Sequence, residues 1–451
     1  MDAQTSTVED EFVGTHMASD ELFRRQAKVV PGGVTHMARA FEPFPLFISA
    51  LSGAHKQDVD GHDYVDYWMA HGANLLGHRH PAVHEAIQRQ LERGLHACGE
   101  NETAVALAEA VCRMVPSASR VRFCASGGEA TQLAIRLARA YSGHERIIKF
   151  EHHFHGWHDA VAFGFPPSDT PWSSGLPDAL QSLTVVLPFN DADALSRYLS
   201  EDAQVAGVLL EPGGAHSDTV PVDPAFLRTV RELCTEHGVV LVFDEVVTGF
   251  RYARGGAQEF FGVTPDVTAL GKIMGGGLPI GAVAGGADIM EVLAPRRGDE
   301  VRPYVPQYGT WNGMPIAAAA GLAALRVVET SDVIQATVRR TDQLRAALNG
   351  VLRQRGVEGT AYGRSSIWKT YLGEPLKLLD GDYTRAREDG IRLASSSGPR
   401  ARVLRQSMIL DGVDVMYGGG FMSAAHDDAD LERTVTAFDR ALTRLQEAGL
   451  V

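Results

Sequence analysis

The chain has 451 residues, with 42 Lys and Arg against 56 Asp and Glu, a formal net charge of −14. That length supports two or three folded units with a sizeable core, and that charge has the wrong sign for gripping nucleic acid or an anionic membrane over a broad surface. Apolar residues at 45% and charged residues at 22% are ordinary globular usage, whereas 47 glycines exceed it and imply many tight turns.

In chain order, the polar, acidic stretch Met1 to Glu11 lacks the basic-then-apolar pattern of a secretory signal. It is expected to be a disordered tail on a cytoplasmic protein. Pro81 to Gly94 carries Val83, Ile87 and Leu91 at four-residue spacing, which predicts an amphipathic helix ended by its glycine. Val121 to Cys124 predicts a strand, followed after a pair of glycines by a helix over Ala130 to Tyr141. The Pro-, Ser- and Gly-rich segment Gly164 to Asp178 is a candidate lid. Val185 to Leu187, Val205 to Leu210 and Val239 to Phe243 are unbroken apolar runs, the mark of strands buried on both faces of a mainly parallel sheet, with a helix over Pro224 to Glu236 between the last two. Met314 to Leu325 is alanine-rich but shorter than the ~18 residues a membrane span needs, so it reads as a buried helix.

Beyond residue 330, long amphipathic stretches (Val333 to Leu352, Asp382 to Ser395, Asp428 to Glu447) alternate with short strand-like pieces. The expected fold class is therefore α/β: a large mainly parallel-sheet domain over 76–332, a smaller α+β domain over 333–451, and a segment 1–75 that joins the small domain. Ligands belong at the carboxyl ends of the parallel strands. Cys98, Cys112, Cys124 and Cys234 form no Cys-x-x-Cys pair, which speaks against a disulfide framework and a structural zinc site.

Three motifs carry chemistry. The apolar run Val239 to Phe243 ends in Asp244-Glu245, and a carboxylate at a buried strand tip calls for a cationic partner. A magnesium nucleotide would be one such partner, but the only Gly-Lys dipeptide, Gly271-Lys272, is followed by Ile273, and Asp266 stands where the first glycine of a P-loop belongs. No G-x-G-x-x-G fingerprint follows a strand either. Lys272 sits among glycines in Thr268 to Pro279, open to a flat ligand and suited, once desolvated, to forming an imine; taken alone, the motif fits a loop lysine at the surface equally well. Ser126-Gly127-Gly128-Glu129 lies between strand and helix, where exposed N–H groups and the helix dipole favour an anion such as phosphate. A lysine imine, a buried acid and a phosphate cradle are together what pyridoxal 5'-phosphate requires.

The chain resembles the class III, fold-type I pyridoxal-phosphate aminotransferases, and within them the glutamate-1-semialdehyde aminomutase branch. The resemblance runs from Val30 to the C-terminus through VPGGVTHMARAF, DVDGHDYVDY, LGHRHP, RFCASGGEA, FHGWHD, FDEVVTGFR, ALGKIMGGGLPIGA and GTWNGMP. It implies an aldimine at Lys272, Asp244 on the ring nitrogen, Val246 against one ring face and Phe154 stacked on the other. It implies phosphate contacts from Gly127 and Gly128, with Ser126, His155, Glu211 and His216 completing the cofactor surroundings, His216 towards the phenolic oxygen. Gly309 and Thr310 would reach in from the second subunit of an obligate homodimer.

Departures bear on the activity. Gly128 replaces the usual Thr, Phe154 the usual stacking Tyr, His71 a Trp, and His216 an Asn. These features, together with His155-Gly156-Trp157-His158-Asp159 and Met408 to Asp414, resemble the D-phenylglycine aminotransferases, and they favour a ping-pong transaminase over the aminomutase-type isomerase, which is the alternative. A catalytically idle homologue is disfavoured because Lys272 and Asp244 are both present. Arg39 matches the family's substrate-carboxylate arginine, with His71 and Phe154 as further substrate residues; a guanidinium suits a bidentate carboxylate. Phe154, Trp157 and Trp311 suggest a substrate with an aromatic or bulky apolar side chain, and the resemblance to the D-phenylglycine aminotransferases implies an aromatic or D-amino acid. His152, His153, His155 and His158 read as a cofactor wall, and no metal is expected.

Overall fold

The computed structural model describes residues 3–96, 98–164, 174–394 and 398–451. A seven-stranded sheet runs in the order Arg120–Cys124, Gly281–Gly285, Val267–Leu270, Val240–Asp244, Val205–Leu210, Arg146–Phe150, Thr184–Leu187. Gly281–Gly285 pairs antiparallel with both its neighbours, and the remaining pairs are parallel. Side chains alternate across each strand, so Val240 and Val242 pack under the helix Gly127–Ser142 with Leu133 and Ala134. Leu241 and Phe243 face the other way, into Phe226, Leu227 and Val230 of the helix Pro224–Glu236. Each such side chain contributes roughly 1.5–3 kcal/mol by leaving water, and together they fix the strand ends that carry the motifs.

A three-stranded antiparallel sheet, Gly359–Tyr362, Ile367–Leu372 and Gly419–Phe421, is covered by the helices Val333–Arg355 and Asp428–Glu447 through Leu344, Leu348, Phe438 and Leu442. A four-stranded sheet joins Ile48–Ser52, His55–Asp58 and Asp63–Asp66 to the late strand Val413–Asp414. The N-terminal segment is thereby stitched to the C-terminal part.

The N-terminus corrects the expected disordered tail. Residues Ala3–Thr15 and Met17–Gln26 are helices. Val8 and Phe12, one helical turn apart, bury against Leu404 and Met408 and against Phe44, Tyr64 and Ile409 respectively. Elsewhere the expected helices are longer at their starts or ends: Gly127–Ser142 begins three residues before Ala130, so both glycines lie in its first turn. The stretch expected as a helix from Asp382 opens instead with a 3-10 turn, Tyr383–Arg385, before the helix Ala386–Ala394, and Ser395 lies outside the described residues. Most of the candidate lid, residues 165–173, also lies outside them. Among the described residues no helix is long and apolar enough to cross a membrane.

Candidate active site

Adjacent parallel strands bring the acid and the lysine to one edge. Asp244 is in register with Ala269, so Lys272 follows just beyond the same carboxyl end. Gly271 is extended, and Lys272 opens a single 3-10 turn at φ 45°, a left-handed conformation uncommon for a residue with a Cβ. Three loops converge there: a Cβ on Gly271 would lie 3.3 Å from Val246 and 3.6 Å from the Gly127 Cα, and one on Gly127 would collide with Val246 at 2.8 Å. A side chain at Gly281 would run into the Ser126 carbonyl. Glycine at these positions is what lets the loops close around the site.

Asp244 is buried with both oxygens engaged. Nδ1 of His155 is 2.8 Å from Oδ2, and the Val246 N–H donates to Oδ1 at 3.1 Å. Burial pushes its carboxyl up to about 7, against the Val246 N–H and the Lys272 charge. Burial also lowers the Lys272 ammonium, opposed by Asp244 and Glu211. Ser126 caps the Gly127–Ser142 helix by accepting the Glu129 N–H at 3.2 Å, and the Glu129 carboxylate accepts the Ala125 N–H at 3.0 Å. The first-turn N–H groups of Gly127 and Gly128 have no partner within the helix and remain for an anion.

Glu211 ends the Val205–Leu210 strand and does something its motif did not announce. Its Oε1 accepts the N–H groups of Phe154 and His216, each at 2.8 Å, and its Oε2 that of Ser217 at 3.1 Å. One buried carboxylate thus ties together the two loops bearing Phe154 and His216, and burial, then Asp244, lifts it to about 7. Lys149 braces the same region from below, donating to the carbonyls of His153, Val161 and Phe163.

The mouth is a series of rings. Phe154 lies 6.3 Å from His216, His216 6.0 Å from Tyr417, Tyr417 6.1 Å from Trp68, Trp68 5.1 Å from His71, and His71 5.0 Å from His36. His71, His216 and Tyr417 all have left-handed backbones, at φ 55°, 49° and 51°. Burial, then the Lys272 charge, lowers His71 to about 4, and burial, then the Lys369 charge, lowers His216 to about 3, so both imidazoles are neutral at neutral pH. Arg39 is exposed on a 3-10 turn and donates to the Thr35 hydroxyl at 2.7 Å.

The expected aromatic wall of Phe154, Trp157 and Trp311 is not assembled by the chain. Phe154 is 40% exposed at the mouth, whereas Trp157 is 85% exposed and the 54% exposed Trp311 has its ring 5.5 Å from His96. Trp68 and Tyr417 take that place instead. Gly309 and Thr310 lie exposed in the same stretch as Trp311. Among the described residues, His16, Asp58 and His62 are close enough to share an ion. The Tyr64 hydroxyl already links two of them, donating to Asp58 at 2.6 Å and lying 2.8 Å from His16 Nε2.

A fold of this topology, with a lysine and a buried acid at the carboxyl edge of its main sheet, fits an enzyme that works through an amine at that lysine, and the chain belongs to the class III aminotransferase family, whose model matches residues 36–368. It is 39% identical over 445 residues to a glutamate-1-semialdehyde 2,1-aminomutase of Methanopyrus kandleri, covering 97% of this chain and 99% of that one. The corresponding protein of Laribacter hongkongensis is 37% identical over 438 residues, 95% of this chain and 99% of its own. Among solved structures, an omega-transaminase from Sphaerobacter thermophilus superposes with a TM-score of 0.87 at 35% identity, covering 95% of this chain and 98% of that one. The fold is that of the fold-type I enzymes.

Pyridoxal phosphate is the cofactor of this family, and the residues present fit it. The double-glycine turn leaves room and N–H donors for a phosphate, Val246 offers an apolar face, and Asp244 is a buried acid, raised by burial to about 7, with which a protonated ring nitrogen would pair.

Proposed function

We propose that this chain moves an amino group between neighbouring carbons of one carboxylate-bearing substrate, as an isomerase of the glutamate-1-semialdehyde 2,1-aminomutase type, with pyridoxal phosphate held at Lys272. The observation that carries this reading is 37–39% identity to curated aminomutases over 94–97% of the chain. It reverses the preference for a transaminase drawn from His71 and His216. The bound cofactor supplies an electron sink for the carbanion formed when a substrate C–H bond breaks. Lys272, with its ammonium destabilised by burial, carries the proton away from one carbon and returns it to the other through Nζ. Asp244 holds its proton or charge at the ring nitrogen, and His155 keeps that carboxylate aimed. Gly127, Gly128 and the helix dipole behind them hold the phosphate, while Val246 and Phe154 flank the ring. Arg39 and His71 face the substrate. Gly309 and Thr310 complete the phosphate site of a second copy, making the working unit a homodimer.

Transaminase activity is the second reading, favoured by the 35% identity to the omega-transaminase and by the neutral rings of His71 and His216 at the mouth. Substrate turnover without a cosubstrate separates the two. Given glutamate-1-semialdehyde alone, enzyme loaded with the amine form of the cofactor is expected to turn over many times. Consumption that stops at one equivalent per site and resumes only when an amino acid donor is added, which restores the amine form of the cofactor, would replace the isomerase by the transaminase.

A further inference from the structure

Three lysines of this chain are almost wholly removed from water, and two of them are fully provided for. Lys56 lies 2.8 Å from Asp66 Oδ1 and 2.7 Å from Asp414 Oδ2. Lys149 donates to three carbonyls. Lys369 is 3% exposed, yet among the described residues its ammonium has neither a hydrogen-bond acceptor nor a carboxylate within 4.0 Å. An unpaired buried cation is costly, and a methionine would fill the same space without that cost. The carboxylate that acts on it is the buried Asp218, beyond the reach of an ion pair.

Its position says what the charge does. Along the strand Ile367–Leu372, Trp368 and Leu372 turn into the core beneath the helices Val333–Arg355 and Asp428–Glu447. Ile367 and Tyr371 turn the opposite way, Ile367 onto Trp68, Val247 and Phe421, and Tyr371 onto the cluster containing Val220 and Val222. Lys369 shares that second face by strand alternation. It is directed at the contact between the two sheets, where its charge acts on His216 and Asp218. Its own strand partner, Gly419, follows the turn that carries Tyr417, the next ring after His216 at the mouth. The C-terminal side of the mouth therefore carries a cation near His216 and Tyr417, balanced from a distance by Asp218.

We propose that Lys369 is a substrate-specificity residue whose ammonium receives the substrate carboxylate beside His216, in addition to Arg39 at the rim. This rests on reading the cleft as the site of a carboxylate-bearing substrate. The test compares wild type with Lys369→Met, which keeps the length and removes the charge, and Lys369→Arg, which keeps the charge. Calorimetry measures binding of 4-oxopentanoate, a plain carboxylate of matching length, and of its neutral amide, to each holoenzyme; cofactor loading is read from its absorbance. The expected result is a dissociation constant for the carboxylate at least about tenfold weaker in Lys369→Met and within about threefold of wild type in Lys369→Arg. Amide binding and cofactor loading stay as they are. Equal carboxylate binding in wild type and Lys369→Met overturns the proposal, as does a loss confined to cofactor loading, which would give the lysine to the phosphate. A wild type that takes up no cofactor would instead overturn the parent reading, and the carboxylate comparison on that protein would still decide Lys369.

Discussion

The floor and the mouth of this cleft are built by opposite means. The floor, Lys272, Asp244, His155 and the Gly127–Gly128 turn, hangs from the ends of strands in one sheet, each end fixed by register and by side chains packed on both faces. The mouth draws His36 and His71 from the N-terminal segment, His216 from a loop of the large sheet, and Tyr417 and Lys369 from the C-terminal part; His71, His216 and Tyr417 sit on left-handed backbone, and the His216 N–H is held by Glu211. Arg251 is the clasp between these segments, buried and donating to the carbonyls of Gly72 and Val247 and to the Ser366 hydroxyl. The lesson is a division of roles: a floor common to every reaction of the cofactor, and a mouth whose parts vary independently and so select the substrate.

That division is breakable at its strongest point first. Asp244→Asn keeps the shape and removes the charge, so the turnover number should fall roughly 10²–10⁴-fold, the range for a proton-handling group, with KM changed far less. A KM effect of the same size would place Asp244 with the mouth. The same variant has a stability signature in the cofactor-free protein. The folded carboxyl sits at about 7, above an unfolded value of about 3.9, so the folded state binds the extra proton between those values. Stability of wild type relative to Asp244→Asn should therefore be level below about pH 4, decline as pH rises to about 7, and level off again. Thermal melts across that range read it; a stability of wild type relative to Asp244→Asn that rises with pH between about 4 and 7 would contradict the buried-acid account.

At the mouth, His71→Phe retains a flat ring and loses the imidazole, and is expected to raise KM about tenfold, the worth of one good polar contact, with the turnover number nearly kept. A collapse of turnover would move His71 to the floor. The smallest effect belongs to Ser126→Ala, which removes the cap from the helix behind the phosphate and should cost about 1 kcal/mol in urea unfolding, with weaker cofactor retention.

The floor was legible in the sequence because its chemistry is written in contiguous stretches. An apolar run stops at Asp244, glycines surround Lys272, and a strand, two glycines and a helix follow one another at Ser126. The N-terminal helices were not legible, since the large apolar residues of that acidic stretch are few, and what Val8 and Phe12 bury against includes Leu404 and Ile409, some 400 residues away. Glu211 was expected at the cofactor, but its use of three backbone N–H groups depends on loops that no local pattern encodes. Tyr417 and Lys369 left no signal for a similar reason. In Ile-Trp-Lys-Thr-Tyr-Leu a lysine marks the wet face of a strand, and here that face is covered by the other sheet. Trp157 and Trp311 show the converse, aromatic residues near a motif that remain at the surface of the chain.

The central claim, that the cofactor is bonded to one lysine at the carboxyl edge of the main sheet, has a direct test. Holoenzyme is reduced with borohydride, digested, and its peptides weighed. The account predicts a pyridoxyl group on the peptide containing Lys272 at one per chain, absent from Lys272→Ala. A label on Lys369 or Lys149, or none on any lysine, would contradict it.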